Sequence, residues 1–522
     1  MKSGFDQKTA FWRDKIETRD LIFFIIGCVF IYLHLFALPA TPIFYEEDHL
    51  YFVHDAWRMY EGEAIYRDFF QLMFPGGQVL YLLLFYIFGT KFWLINAVIF
   101  LQASAHVLLA LAISKRIFGS SWYAYLPPSL YLFFGFRWFG IDGTHRVLSP
   151  IFIYLAIFIL LKNRNLKRLI VAGALCGFAS FITQQRGVLA VGAIAVFLLY
   201  EAFKNRKLGK DFLVAELVLL VSFGLTLTIL ILPFIISAGP QTFFDYTFFF
   251  IRNYVQDSTG NYLSYFNNVR KIFEQGFLFS AVTIFYCALI PLVYLISFFY
   301  LWRKKDNSDI KAKSEIFLIS LVGLFLTLGT FAPNPYRFFQ IAIPALIVLV
   351  WLISQLKIKS ESVIRAAVAG LIILGMALAF RLQTNWEKNI LAARTGNIAF
   401  LSPVVLERYK WLSENTVENE YVFEVYQCAV NFVLQLRNPT QVTFLLNTGY
   451  TPVWQVTQSI ENLERKKPRF IIWDGAWTRE LETIEEGEHL GPLYDYLRQN
   501  YELKKEFTPY NNREMQLWER KQ

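Results

Sequence analysis

Between Leu21 and Phe380 the chain returns repeatedly to apolar runs about as long as a bilayer is thick. Crossing a hydrocarbon core takes about 20 apolar residues in a helix, and fewer where protein lines the path. By that measure the spans are Leu21–Leu38, Phe92–Ile113, Trp122–Phe136, Leu148–Leu161, Leu169–Ile182, Val188–Phe203 and Phe212–Ile236. Phe277–Tyr300, Ile316–Phe331, Phe338–Ile353 and Val363–Phe380 complete a set of 11 transmembrane helices. Leu80–Phe88 is apolar but too short, and reads as a re-entrant or interfacial segment. The first run follows a charged segment and lacks a small-residue cleavage site, so it reads as a retained helix. Composition agrees with a polytopic α-helical membrane protein. Apolar residues make up 55% of the chain and charged residues only 17%, against about a quarter in soluble domains. Cys28, Cys176 and Cys287 lie inside apolar runs, where a thiol behaves as a small hydrophobe.

The net charge of +9 raises the question of nucleic acid. The basic residues sit in short clusters between apolar runs, which is a topology signal and implies no nucleic-acid partner. Alternate loops carry Lys115 and Arg116, then Lys162 to Arg168, Lys204 to Lys210, Arg303 to Lys313, and Lys357 to Arg365. The positive-inside rule puts those loops and the N-terminus in the cytoplasm. An odd number of spans then leaves the residues after Arg381 on the opposite side. The expected division is a transmembrane region, 1–380, with a first external loop at 39–77, and an extracytoplasmic domain, 381–522. That last part changes character. Glu420–Val425, Gln441–Leu446 and Arg469–Trp473 read as short strands, and Pro403–Ser413, Trp454–Lys466 and Pro492–Tyr501 as amphipathic helices. Together they predict a small C-terminal α/β domain.

Chemistry-bearing residues concentrate in the first external loop, FYEEDHLYFVHDAWRMYEGEAIYRDFFQLMFPGG. Glu46, Glu47 and Asp48 stand together at its start, followed by His49. Leu50, Val53, Trp57 and Tyr60 fall on one face of a predicted helix, which would lie half-exposed along the membrane surface. Pro75-Gly76-Gly77 breaks the chain before the next apolar segment.

The acidic run and the stretch AWRMYEGEAIYRDFF, Ala56 to Phe70, resemble the first external loop of the GT-C glycosyltransferases that use polyprenyl-phosphate sugars. That superfamily includes the protein O-mannosyltransferases and the lipid A aminoarabinose transferase. Many members carry Asp-Glu, one residue, then His or an aromatic; Glu46-Glu47-Asp48-His49-Leu50 is similar, with Glu in place of the first Asp. The resemblance is specific over this loop and architectural elsewhere. It implies a GT-C-like fold and transfer of a sugar from a polyprenyl-phosphate donor to a hydroxyl of a glycan, lipid or protein acceptor. The bacterial inner (plasma) membrane is the location it implies, with inversion at the anomeric carbon if displacement is direct.

Such a reaction needs a carboxylate to take the acceptor proton. Glu46, Glu47 and Asp48 are the candidates, and the sequence leaves the choice among them open. It also needs positive charge for the leaving phosphate, and the planar fork of Arg suits phosphate oxygens. Arg137 and Arg146 bracket the second external loop, which also holds Asp142 and His145; Arg186 and Arg337 stand at other external boundaries. All are expected to bind substrate, as are Arg67 and Asp68, although Asp68 also reads as the partner of Arg67 or a loop amide. The resemblance allows a divalent cation, but no residue spacing here matches a defined metal site. The loop Gly239–Gln275 is rich in aromatics, which suit an interfacial belt or a flap over the site. A transporter or flippase of a lipid-linked saccharide is the alternative reading. It is disfavoured because no internal repeat is visible and the charges gather on one side of the membrane.

Overall fold

The computed structural model describes residues 17–251, 276–303, 310–330, 334–356, 360–383, 389–481, 489–510 and 513–522. Seven of its helices are long and apolar enough to cross a membrane: Thr18–Leu35, Trp93–Phe118, His145–Lys162, Gln184–Lys204, Lys210–Ala238, Phe279–Arg303 and Glu361–Leu382. Lys210–Ala238 turns Leu213, Leu217, Leu225 and Ile236 outward, each at least 60% exposed. On a helix of bilayer-crossing length such a face suits lipid tails. The chain is an integral membrane protein.

The other expected spans fall on shorter or broken helices. Leu166–Ile182 has 17 residues. The segment from Trp122 to Phe139 changes pitch three times, with a 3-10 turn at Trp122–Tyr125 and a π turn at Leu130–Phe136. Pro127 and Pro128 lie between them and withhold two backbone donors, which accounts for the irregular ladder. Ile310–Leu328 is continuous, and the expected end of that span at Phe331 lies outside the described residues. Pro335–Gln340 and Ile343–Gln355 are two helices where the sequence suggests one. Leu80–Phe88 belongs to the 13-residue helix Gly76–Phe88, about 20 Å long and so shorter than a bilayer core. It starts flush against the end of Leu166–Ile182. A Cβ on Gly76 would lie 2.8 Å from the Phe181 carbonyl oxygen and 2.9 Å from the Ile182 Cα.

The surface helix expected after the acidic run forms as His49–Tyr60, but it is not half-exposed. His49, Leu50, Phe52, Val53, His54, Asp55, Ala56, Trp57 and Arg58 are all buried. The helix is enclosed by Gly76–Phe88 on one flank and by the C-terminal segment on the other. Tyr51 donates to the Tyr426 carbonyl at 3.1 Å, and Thr443 donates to the fully buried Asp55 at 2.6 Å.

Two four-stranded sheets accompany the helices. The first combines β1 (Phe36–Ala37) and β2 (Thr41–Phe44) with β3 (Ile390–Ala393) and β4 (Gly396–Phe400), in the order β1-β2-β4-β3. β2 pairs in parallel with β4, Ile43 opposite Ala399 and Phe44 opposite Phe400. The second combines β5 (Val422–Glu424), β6 (Phe470–Asp474), β7 (Tyr501–Glu506) and β8 (Met515–Arg520), in the order β5-β6-β8-β7. The amphipathic patterns form helices Pro403–Asn415, Val453–Lys466 and Gly491–Asn500. Gln441–Leu446, expected as a strand, is irregular. Two of its polar groups serve the first loop instead: the Gln441 carbonyl accepts from the Phe70 amide at 2.7 Å, and Thr443 reaches Asp55. One buried core runs from Leu35 and Phe92 through Phe44 to Phe400, Tyr409 and Leu412. Phe44 packs 4.9 Å from Phe400 and 5.1 Å from Tyr409, ring to ring.

Candidate active site

β2 ends at Phe44 and delivers Tyr45, Glu46, Glu47 and Asp48 to the start of His49–Tyr60. Consecutive side chains cannot share one direction, and these three carboxylates meet three different surroundings. Glu46 Oε1 lies 2.5 Å from Nη2 of Arg408, on the helix Pro403–Asn415. Asp48 Oδ2 lies 2.5 Å from Nη1 of Arg146. Glu47 has no side-chain hydrogen bond among the described residues and faces a cavity of about 270 Å³.

Asp48, Arg137, Asp142, Arg146 and Arg337 line the same cavity. Arg137 opens the last short helix, Arg137–Phe139, of the segment that begins at Trp122, Arg146 is in the first turn of His145–Lys162, and Arg337 lies in Pro335–Gln340. Asn334 caps that last helix by accepting from the Arg337 amide at 2.9 Å. Arg137 packs 5.5 Å from the Trp138 ring, and its Nη1 is buried without a hydrogen-bond partner among the described residues. Gln340 joins two elements: its Nε2 donates to Asp142 Oδ2 at 2.8 Å, and its Oε1 accepts from Arg186 Nη2 at 3.3 Å.

The electrostatics separate the three acids. Glu47 is open to the cavity but ringed by protein elsewhere. Burial, reinforced by Asp142, Asp48 and Glu46 and opposed by Arg146, pushes its pKa up to about 8. Burial would also raise Asp48, but the charge and hydrogen bond of Arg146, with Arg337 behind them, hold it below the usual carboxylate range. Burial raises Asp142 against the pull of Arg146. His49 points away from the cavity into the core, where burial depresses its pKa to about 4.

No protein-family model matches the chain, and no curated protein matches it by sequence. Among solved structures it resembles ArnT from Cupriavidus metallidurans bound to undecaprenyl phosphate. The likeness covers 95% of this chain and 97% of that one, with a TM-score of 0.54 at 10% sequence identity. The apo state of ArnT gives a TM-score of 0.52 over the same shares, also at 10% identity. The chain shares the fold of ArnT. At this identity the likeness is one of fold, and the roles of its residues rest on their own geometry.

This fold gathers most of the residues singled out in the sequence. Glu47, Asp48, Arg137, Asp142, Arg146 and Arg337 meet in one cavity. His145, Arg146, Arg186 and Arg337 line a smaller adjoining hollow of about 60 Å³. Arg186 is committed to holding neighbours in place, donating to the Arg146 carbonyl and to Gln340. His145 is buried, its ring 4.8 Å from that of Phe52. Arg67 and Asp68 lie elsewhere, on a polar groove with Gln441, Gln458 and Asn462. Asp68 pairs with Arg67 at 2.8 Å and accepts from the Ala64 amide at 2.7 Å. Among the described residues no three His, Cys, Asp or Glu side chains are grouped so as to hold a metal ion.

The aromatic loop divides. Phe243 is buried against Tyr66 and Phe74, and Phe250 against Phe70 and Tyr450. Phe248 and Phe249 are exposed, while Tyr254, Tyr262 and Tyr265 lie outside the described residues. The sequence reading missed Tyr45, Trp138, Tyr336 and Gln340 in the cavity, and Arg408 behind Glu46. Gln340 alone had a usable signal, lying one helical turn beyond Arg337.

Proposed function

We propose that the protein is a glycosyltransferase that moves a sugar from a polyprenyl-phosphate donor to an acceptor hydroxyl on the extracytoplasmic face. The observation that carries this reading is Glu47. It is a carboxylate of raised pKa without a side-chain hydrogen bond among the described residues, facing a cavity shared with Arg137, Arg146 and Arg337 in a chain with the fold of ArnT. ArnT, of the same fold, has been crystallised with undecaprenyl phosphate, which supports a polyprenyl carrier here.

In this reading the donor phosphate lies against the arginines, with the sugar between it and Glu47. Glu47 accepts the proton as the acceptor oxygen bonds to the anomeric carbon. The bond from that carbon to the phosphate oxygen breaks, and the arginines take up the charge left on the polyprenyl phosphate. Direct displacement inverts the anomeric configuration. Asp48 keeps Arg146 in place, and Gln340 couples Asp142 to Arg186. The topology that accompanies the reading has 11 spans, a cytoplasmic N-terminus, a membrane region over 1–380 and an extracytoplasmic α/β domain over 381–522. A bacterial inner membrane is the proposed site.

The test is transfer of radiolabelled sugar by membranes containing the protein, supplied with polyprenyl-phosphate sugars, for wild type and Glu47→Gln. Transfer by wild type that collapses in the variant at equal protein level supports the reading. A variant as active as wild type removes Glu47 as the base. Movement of a lipid-linked saccharide across the membrane without any transferred product would put the transporter reading in its place.

A further inference from the structure

Resting on that reading, we propose that Arg408 is a positioning residue, reaching from the C-terminal segment to hold Glu46 away from the cavity, so that Glu47 and not Glu46 is presented there as the proton acceptor. The acidic run hangs between two attachments to the same segment. Upstream, β2 is zipped to β4 through Ile43 and Phe44. Beyond β4 the chain turns at Ser402 into the helix Pro403–Asn415, which carries Arg408 back to Glu46, 362 residues away in sequence. The pair is enclosed: the Arg408 side chain is 7% exposed and that of Glu46 18%. A pair so far from water is unforgiving, because removing one partner strands the other.

The groups around the pair make the choice of acid one-sided. Arg408 faces Glu46, the ring of Tyr409 and the fully buried Glu424. Glu424 spends one oxygen on the Val430 amide at 3.0 Å, and its Oε1 is without a hydrogen-bond partner among the described residues. Arg513 and Tyr510 line the hollow beside the pair. On the other side, Glu47 faces Asp48, Asp142, Arg146, Arg337 and Tyr336. With Glu46 bound to Arg408 and Asp48 to Arg146, Glu47 is left as the proton acceptor of the three. The C-terminal segment thereby becomes part of the active site although none of its described residues lines the cavity.

The test labels carboxyls directly and does not depend on transfer. Dicyclohexylcarbodiimide adds to protonated carboxyl groups, and tandem mass spectrometry of the purified full-length protein resolves Glu46 from Glu47. At pH 7 wild type is expected to be labelled at Glu47 and spared at Glu46. In Arg408→Gln, labelling of Glu46 rises about tenfold, whereas Arg408→Lys keeps the charge and the sparing. A residue that only braced the fold would lower thermal stability in both variants without changing which acid reacts. In the transfer assay Arg408→Gln loses kcat with the donor KM little changed, and Arg408→Lys restores most of it. Glu46 labelled as strongly as Glu47 in wild type, or still spared in Arg408→Gln, overturns the proposal. If the labelling pattern holds but wild type transfers no sugar, the placement of the acids stands and the glycosyltransferase reading falls.

Discussion

Arg146 Nη1 lies 2.5 Å from Asp48 Oδ2, and the two side chains lie on one wall of the cavity that Glu47 faces. The contact neutralises the carboxylate next in sequence to the proposed base and fixes a guanidinium where a leaving phosphate would develop charge. Replacing Asp48 is therefore expected to disturb the proposed phosphate site as well as the balance of acids, whereas replacing Glu47 is expected to remove the proposed base alone.

Glu47→Gln keeps the shape of the side chain and removes its basicity. General-base catalysis is worth about a hundred- to ten-thousandfold, so kcat for transfer is expected to fall within that range with the donor KM nearly unchanged. Glu46→Gln and Asp48→Asn, measured alongside, should lower activity by less and alter KM or protein yield. A Glu47→Gln enzyme within threefold of wild type would count against the assignment.

The pKa of about 8 on Glu47 gives two pH dependences of opposite sign. Activity needs the ionised carboxylate, so kcat should rise with pH and level off once pH exceeds about 8. Stability runs the other way. The folded state holds the Glu47 proton more tightly than the unfolded chain, whose group titrates near 4.5. Unfolding therefore becomes easier as pH rises through the window from 4.5 to about 8, and this contribution is complete above it. Glu47→Gln should flatten both profiles, read by initial rates and by thermal unfolding in detergent across that window.

The arginines should act on the donor. Arg337→Ala and Arg137→Ala each remove one charge-assisted contact to the phosphate, worth about 1.5 to 3 kcal/mol. That corresponds to roughly ten- to a hundredfold weaker inhibition by free polyprenyl phosphate. Lys at either position keeps the charge but not the planar fork, and should recover part of the loss. Inhibition unchanged in both Ala variants would place the phosphate elsewhere.

These residues were legible for a physical reason. An Arg at the boundary of an apolar run is conspicuous because lipid makes it costly, so Arg137, Arg146 and Arg337 could be picked out without a structure. The role proposed for Glu47 could not. Glu46, Glu47 and Asp48 are chemically equivalent in sequence, and Arg408, which separates them, comes from a helix whose pattern shows only that one face is apolar. The β2–β4 pairing escaped for the same reason, since parallel partners 356 positions apart, Ile43 and Ala399, carry no local signal. Gln441–Leu446 went wrong in the opposite direction. Its β-branched and apolar residues suit a strand, but the Gln441 carbonyl and the Thr443 hydroxyl are spent on the first loop. β7 was missed because Glu502, Lys504 and Lys505 mask its alternation at a sheet edge, where charge is commonly placed.

Asp55 offers the most direct test of how the first loop is held to the C-terminal segment. Its side chain is fully buried; Oδ1 accepts from Thr443 at 2.6 Å, and Oδ2 from Gln71 at 2.6 Å and Gln78 at 3.4 Å. Asp55→Ala would leave these donors in a dry site without their acceptor. Each unsatisfied buried donor costs about 1 to 3 kcal/mol, so the total loss should be about 2 to 5 kcal/mol after partial relaxation. A lowered midpoint of thermal unfolding in detergent would record it. Burial raises the Asp55 pKa to about 6 despite Thr443 and Gln71, so the fold favours the proton relative to the unfolded chain. This contribution to stability should decline as pH climbs from 3.8 to about 6, and the decline should vanish in Asp55→Asn. The amide keeps one acceptor for Thr443 but turns its NH2 toward Gln71, so Asp55→Asn should fall between wild type and Asp55→Ala in stability. Because the helix His49–Tyr60 begins beside the acidic run, loosening its hold on Thr443 should also slow transfer in both variants. An Asp55→Ala protein with wild-type midpoint and wild-type rate would mean that the first loop is held by other contacts.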